Sequence, residues 1–301
     1  MMKRLLILLV YCFTTQQIKA QDIPFYNYNA SKTNLNPAFA GSDSAFTLST
    51  AGLISASPAT ENFRTFFSLD NYFRFLRGGL AFNFGVSDEK DGGAAKMTLA
   101  YAPHFEFFNH RLAFQPAIEF GYFESQAQSS QPFPSQWNYE NPDAAIPGHF
   151  GINGWDVTTG FLLFTKKFYG GAAFHYIDKQ HYYAKSYAKL LTKIDVHSGA
   201  NFTTGNFAIS PNVLFSSQGD YRFLQLDLKA KFKILTWGGG IATNYLFTEI
   251  GLQNRLFKLC YTYAKPFVIT DSNPDFIATH ELHFNWFFKH KNKKQLSLRM
   301  I

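Results

Sequence analysis

Glu281-Leu282-His283 sets a carboxylate and an imidazole two residues apart, and in a strand residues i and i+2 lie on one face. Such a pair can hold or pass a proton. Spacing places no nucleophile beside it, so hydrolysis of the lipase or deacylase kind has no third member. His280 falls on the opposite face from His283, which argues against a shared metal ion. Cys260 is the one cysteine beyond an apolar leader that contains Cys12, so an intramolecular disulfide is excluded. A zinc cluster would need histidine alone for its ligands. The remaining candidates, Glu106, Gln115, Glu119, Asp227, Lys229, Glu249 and Lys258, share a polar face with Glu281 and His283. Their plain reading is a lumen of mutually compensating charges, and the sharper one is a solute path. The expectation is a chain that is not an enzyme, with no catalytic residue, metal or cofactor.

The elements that must carry those side chains are strands. Leu80, Phe82, Phe84 and Val86 alternate with Ala81, Asn83, Gly85 and Ser87, and Leu224, Leu226 and Leu228 alternate with Gln225, Asp227 and Lys229. Period two with one apolar face is the mark of a strand. About 14 such segments are expected, at 44–55, 62–72, 77–88, 95–108, 111–125, 154–165, 167–177, 187–203, 206–216, 221–232, 234–245, 247–254, 256–265 and 277–289. Most have the length needed to cross a bilayer at a tilt. The segment at 154–165 fits least well, because Phe161-Leu162-Leu163-Phe164 blurs the alternation.

The connections sort by parity. The first, third, fifth, seventh and thirteenth are longer or more polar, the fifth holding Pro132, Pro134, Pro142 and Pro147. The even-numbered ones, such as Thr204-Gly205-Asn206, are tight. Outer-membrane barrels alternate short periplasmic turns with longer outer loops, and a soluble sandwich has no reason to do so. The fold class expected is all-β, a transmembrane antiparallel β-barrel of about 14 strands. With an even strand count both termini should lie in the periplasm.

Residues 1–20 read as a secretory leader, with basic Lys3-Arg4, an apolar run from Leu5 to Phe13, and Ala20 before Gln21. Bulky Tyr11 before Cys12 argues against a lipid anchor. The remaining organisation expected is a periplasmic segment at 21–43, a barrel at 44–289 and a basic periplasmic tail at 290–301. Without the leader the formal charge falls from +7 to +4, and the five bases of residues 289–301 account for the excess. Residues 21–288 hold 20 basic and 21 acidic side chains, so no basic stripe suits nucleic acid. The tail reads as a solvated stretch, or else as an electrostatic handle for anionic headgroups or an acidic periplasmic partner. In the long fifth connection Phe133, Trp137 and Tyr139, with Trp155, could dock a protein.

Asn34-Leu35-Asn36-Pro37-Ala38-Phe39-Ala40-Gly41-Ser42 is a turn by its chemistry: proline excludes the helical region for Asn36, and Gly41 offers a positive φ. As a string it resembles the opening of the PorP/SprF family of type IX secretion outer-membrane proteins. Phe168-Tyr169-Gly170-Gly171, Thr248-Glu249-Ile250-Gly251 with Cys260-Tyr261-Thr262-Tyr263, and His280-Glu281-Leu282 resemble later stretches of that family. The resemblance implies a non-enzymatic component of the type IX secretion and gliding machinery in the bacterial outer membrane, helping to deliver or anchor an exported, adhesin-like surface protein. Its implied partners are outer-membrane lipid, that exported protein and periplasmic type IX components, with no nucleic acid. Asn36, Pro37, Ala38 and Gly41 would then form a contact near the periplasmic mouth. The alternative is a porin-like transport barrel for small or apolar solutes.

Overall fold

The structure, a computed structural model, describes residues 25–43, 45–56, 61–89, 92–128, 137–139, 149–177, 188–190, 192–219, 221–267, 278–288 and 296–298. Its strands are β1 (Phe46–Ala56), β2 (Glu61–Phe73), β3 (Gly78–Glu89), β4 (Gly92–Pro103, continued by Phe105–Phe107), β5 (Leu112–Gln128), β6 (His149–Phe164) and β7 (Phe168–His175). They continue as β8 (Lys193–Ala200, continued by Phe202–Thr204), β9 (Phe207–Gln218), β10 (Tyr221–Phe232), β11 (Leu235–Ala242), β12 (Tyr245–Gln253), β13 (Phe257–Pro266) and β14 (Thr279–Phe288). Each pairs antiparallel with its neighbours in sequence, and β1 pairs with β14 from Phe46↔Phe288 to Ser55↔Thr279. The sheet therefore closes into a barrel of 14 strands among the described residues, the class that the period-two pattern predicts.

Closure leaves no unpaired edge, which is what a lipid environment requires of a sheet. The two faces differ accordingly. Phe82, Phe84, Met97, Leu99, Ile118, Phe120, Leu226, Leu228, Ile250 and Leu282 are exposed on the outside. Ala81, Asn83, Thr98, Gln115, Glu119, Gln225, Asp227, Lys229, Glu249 and Glu281 are buried within. No described helix is long and apolar enough to cross a membrane; the crossing is made by strands.

The turn β8–β9 (Gly205-Asn206) and the turn β10–β11 (Lys233-Ile234) take two residues each. They share an end with Arg74–Arg77, Phe108–Arg111, Thr165–Lys167 and Asn254–Leu256. By the loop-length rule this is the periplasmic end. At the opposite end the two longest connections meet: Trp137–Tyr139 pairs antiparallel with Ala188–Leu190 as a small ribbon outside the barrel.

Two expectations about the termini need correction. Residues 25–43 are not a segment below the barrel but lie inside it, every one buried except Asn34. The hydrophobic residues of this stretch find apolar partners only in the lumen. Tyr26, Tyr28 and Leu35 pack with Leu214, Phe223 and Phe247. Phe39 and Ala40 pack with Ala102, Ala113, Phe164 and Tyr169 beside the periplasmic turns. The Tyr26 ring also lies tilted against Tyr245, 5.5 Å between centroids, next to the outer turn at 243–244. The chain thus runs down the lumen from its outer half before turning into β1, so residue 25 does not sit at the periplasmic mouth. The tail is likewise not wholly free, since Leu296 and Leu298 join the Phe39 cluster. Residues 1–24, and the rest of the tail at 289–295 and 299–301, lie outside the described residues.

The outward face yields a direct test. Leu226 lies in the middle of β10 and is 45% exposed. Leu226→Arg is expected to cost about 2–4 kcal/mol by placing a charge against acyl chains, read as the shift in urea unfolding of the protein refolded in lipid vesicles. A change below about 0.5 kcal/mol, the usual limit for a plain surface position, would contradict the lipid-facing assignment of this strand.

Candidate functional site

Asn36 fixes the path of the lumenal segment. Pro37 forces it to an extended φ of −149° and ψ of 118°, and its side-chain oxygen then accepts from the Ala38 amide at 2.9 Å, capping the 3₁₀ turn Pro37–Phe39. The amide nitrogen reaches the wall. It donates to the Phe161 carbonyl at 3.0 Å and the Ala172 carbonyl at 3.2 Å, and meets His197 Nε2 at 3.0 Å. One fully buried side chain thereby ties the segment to β6, β7 and β8.

Gly41 takes the left-handed conformation, φ +66°, and its amide donates to Asp70 Oδ1 at 3.1 Å. The turn it makes lies flat on β3. A Cβ on Gly79 would come within 2.0 Å of the Ala40 carbonyl oxygen, and one on Gly160 within 2.4 Å of Asn36 Oδ1. These wall glycines leave the room the segment occupies.

The rest of the segment is held by polar contacts around the circumference. Glu281 accepts from the amides of Tyr26 and Asn27 at 2.8 and 3.2 Å. Gln225 donates to the Tyr26 carbonyl at 2.7 Å, and Asn285 to the Ala30 carbonyl at 2.7 Å. Thr33 shares a hydrogen bond with Ser68, His175 meets the Leu35 carbonyl, and Gln115 donates to the Ala40 carbonyl. Lys229 donates to Asn27 Oδ1 at 2.6 Å while pairing with Glu249 at 3.0 Å. At the lower end Lys32 pairs with Asp43 at 2.6 Å. Buried polar groups are tolerated only when so paired.

The carboxylate and imidazole of Glu281 and His283 do share a face, 3.1 Å apart and fully buried. There Glu281 receives backbone amides of the plug, and the Phe25 ring stands edge-on to His283 at 5.4 Å. Of the other charged candidates, Glu119 lies 3.9 Å from Lys96, Asp227 accepts from Asn212 at 2.7 Å, and Glu106 meets His104 at 2.9 Å; Lys96 also pairs with Asp156 at 2.6 Å and Asp195 with His175 at 2.9 Å. Among the described residues no group of three or more metal-ligating side chains is gathered.

Asn36, Pro37, Ala38 and Gly41 are all buried, and the contacts of Asn36 and Gly41 are with the wall of their own barrel. Of the loop aromatics, Phe133 lies outside the described residues, while Trp137 and Tyr139 stand opposite Leu190 and Ala188 in the outer ribbon. Trp155 is 64% exposed on the barrel wall, edge-on to Tyr122 at 5.5 Å. Sequence reasoning missed the lumenal position of Phe25–Asp43 and the docking of the tail, where the Leu298 amide donates to the Ser42 carbonyl at 2.9 Å and the Leu296 amide to Glu106 at 2.8 Å.

Residues 17–286 match the family described as type IX secretion system membrane protein PorP/SprF. No curated protein matches the chain. Among solved structures it is similar to the outer-membrane protein Omp33 of Acinetobacter baumannii, at 9% identity over 82% of this chain and 100% of that one, TM-score 0.47. It is also similar to a TodX monoaromatic hydrocarbon channel mutant, at 10% identity over 85% and 92%, TM-score 0.47. A third likeness is the KdgM porin in complex with disordered oligogalacturonate, at 6% identity over 81% and 99%, TM-score 0.41.

Two substitutions test the plug's attachment. Asn36→Ala removes the cap and the donor to two carbonyls, and is expected to lower stability by about 1–3 kcal/mol. Gly79→Ala drives a methyl into the Ala40 carbonyl and is expected to cost about 1–3 kcal/mol, whereas at Gly85 the nearest atom to an added Cβ is 3.6 Å away and alanine should be nearly neutral. Urea unfolding in vesicles measures all three, and equal effects at Gly79 and Gly85 would show that the segment does not press on β3.

Proposed function

The chain belongs to the PorP/SprF family of type IX secretion system membrane proteins, and from that membership we propose that it is a non-catalytic component that helps deliver or anchor an exported cell-surface protein. Its outer-membrane β-barrel is the platform. The observation that carries the proposal is the occupied lumen: residues 25–43 fill the barrel and are bonded to its wall from Glu281 to Gln115. A barrel filled in this way offers its ends, not its interior, to a protein. Holding a client or a periplasmic secretion component is then the role that fits, and the outer ribbon carrying Trp137 and Tyr139 is the surface suited to the exported protein. The porin-like alternative for small or apolar solutes is disfavoured by the same filling.

Two measurements decide between these readings. Purification from native outer membranes in mild detergent, followed by mass spectrometry, is expected to recover a large exported surface protein or periplasmic type IX components. In planar bilayers the purified barrel is expected to pass negligible current. A clean monomer with stable open-channel conductance would overturn the anchoring reading in favour of transport.

A further inference from the structure

The plug does not fill the periplasmic end evenly. Phe39, Leu296 and Leu298 close the sector faced by β3 to β7. The remaining sector, below β8 to β14 and β1, holds a cavity of about 550 Å³. Its lining comes from the turns β8–β9, β10–β11 and β12–β13 and from the plug, so it opens toward the periplasm. The strand ladder around it is continuous from β8 through β14 to β1, which bars approach from the lipid side.

The charge of this cavity is one-sided. Lys32, Lys231, Lys233, Arg255 and Lys258 line it, against the single carboxylate of Asp43. Asp43 is already engaged by Lys32 at 2.6 Å. Lys258 is only 3% exposed and is within the electrostatic reach of Glu249, a carboxylate it shares with Lys229, which pairs with it at 3.0 Å. An ammonium that faces the cavity from a largely buried side chain and shares its nearest carboxylate with a second lysine favours an anion placed there. The concentration of positive charge is local, since residues 21–288 carry one more acid than base. The chain's own tail brings no acidic side chain to it: residues 289–301 hold five bases and no Asp or Glu.

We propose that this cavity is a docking site for an acidic segment of a periplasmic polypeptide, whose carboxylates seat against Lys258, Lys233 and Arg255. The volume suits a few side chains or one compact ligand. Phe207, Ile234 and Phe287 also line the cavity, and can pack against the aliphatic stems of acidic side chains whose carboxylates meet the bases. The site is independent of what the outer loops hold, so its test stands whether or not an exported client is anchored above.

The experiment uses the full mature chain in zwitterionic detergent with a fluorescein-labelled hexaglutamate peptide, read by fluorescence anisotropy. Saturable binding that weakens as salt screens the charges is expected. The double variant Lys233→Gln/Arg255→Gln changes only exposed turn residues, and should weaken binding about tenfold. Lys258→Met should weaken it at least as much, with circular dichroism confirming that the barrel persists. Absence of binding, equal binding of a hexalysine peptide, or unchanged affinity in the double variant would overturn the proposal. Displacement of the peptide by an equal concentration of inorganic phosphate would also overturn it, since the cavity would then be a small-anion site.

Discussion

A barrel wall in lipid must turn apolar side chains outward, and by period two it must turn the alternate ones inward. In this protein those inward residues include Glu119, Asp227, Lys229, Glu249 and Glu281, all buried. Leaving them dry and unpaired is costly. The chain resolves the constraint with its own residues 25–43, whose backbone amides and carbonyls serve as partners for the wall. Glu281 receives two amides and Gln225, Asn285 and Gln115 each reach a carbonyl. The segment has little regular structure, with one four-residue helix and two 3₁₀ turns, and this is why it has backbone groups to spare. Wall and plug thus supply hydrogen-bond partners to one another around the circumference.

The strand pattern was legible because the lipid imposes it. Wherever one face meets acyl chains and the other a polar lumen, the alternation is clean, as in the burial of Phe207–Gln218. It blurs at Phe161–Phe164 for a reason local to the plug. Leu162 and Phe164 point inward yet remain apolar, since Ala38, Phe39 and Ala40 lie against them. The blurred stretch was therefore an imprint of the plug on the wall, readable only once the partner is known.

The turn chemistry of Asn36-Pro37 and Gly41 was also readable, down to the extended Asn36 and the positive φ. Its position was not. A segment with no period carries no face, and Phe25, Tyr26, Tyr28 and Phe39 suit a lumen as well as they suit a docking surface. Likewise Leu296 and Leu298 sit among bases in the sequence, and only their contact with Ser42 and Glu106 separates them from a solvated tail. The pairing of Glu281 with His283 followed from strand geometry alone, whereas its task of holding two plug amides depends on contacts more than 250 residues apart.

The plug is continuous with β1, and β1 is sealed to β14 by ten residue pairs, from Phe46↔Phe288 to Ser55↔Thr279. That seam joins the first strand made to the last. A stretch lodged inside the ring, bearing Phe25, Tyr26 and Tyr28 at its upper end, is easiest to place while the ring is still open. The geometry is most simply reached if the amino-terminal segment is laid against the nascent sheet before the later strands wrap around it and the seam shuts. A barrel assembled in that order would close without an empty pore at any stage.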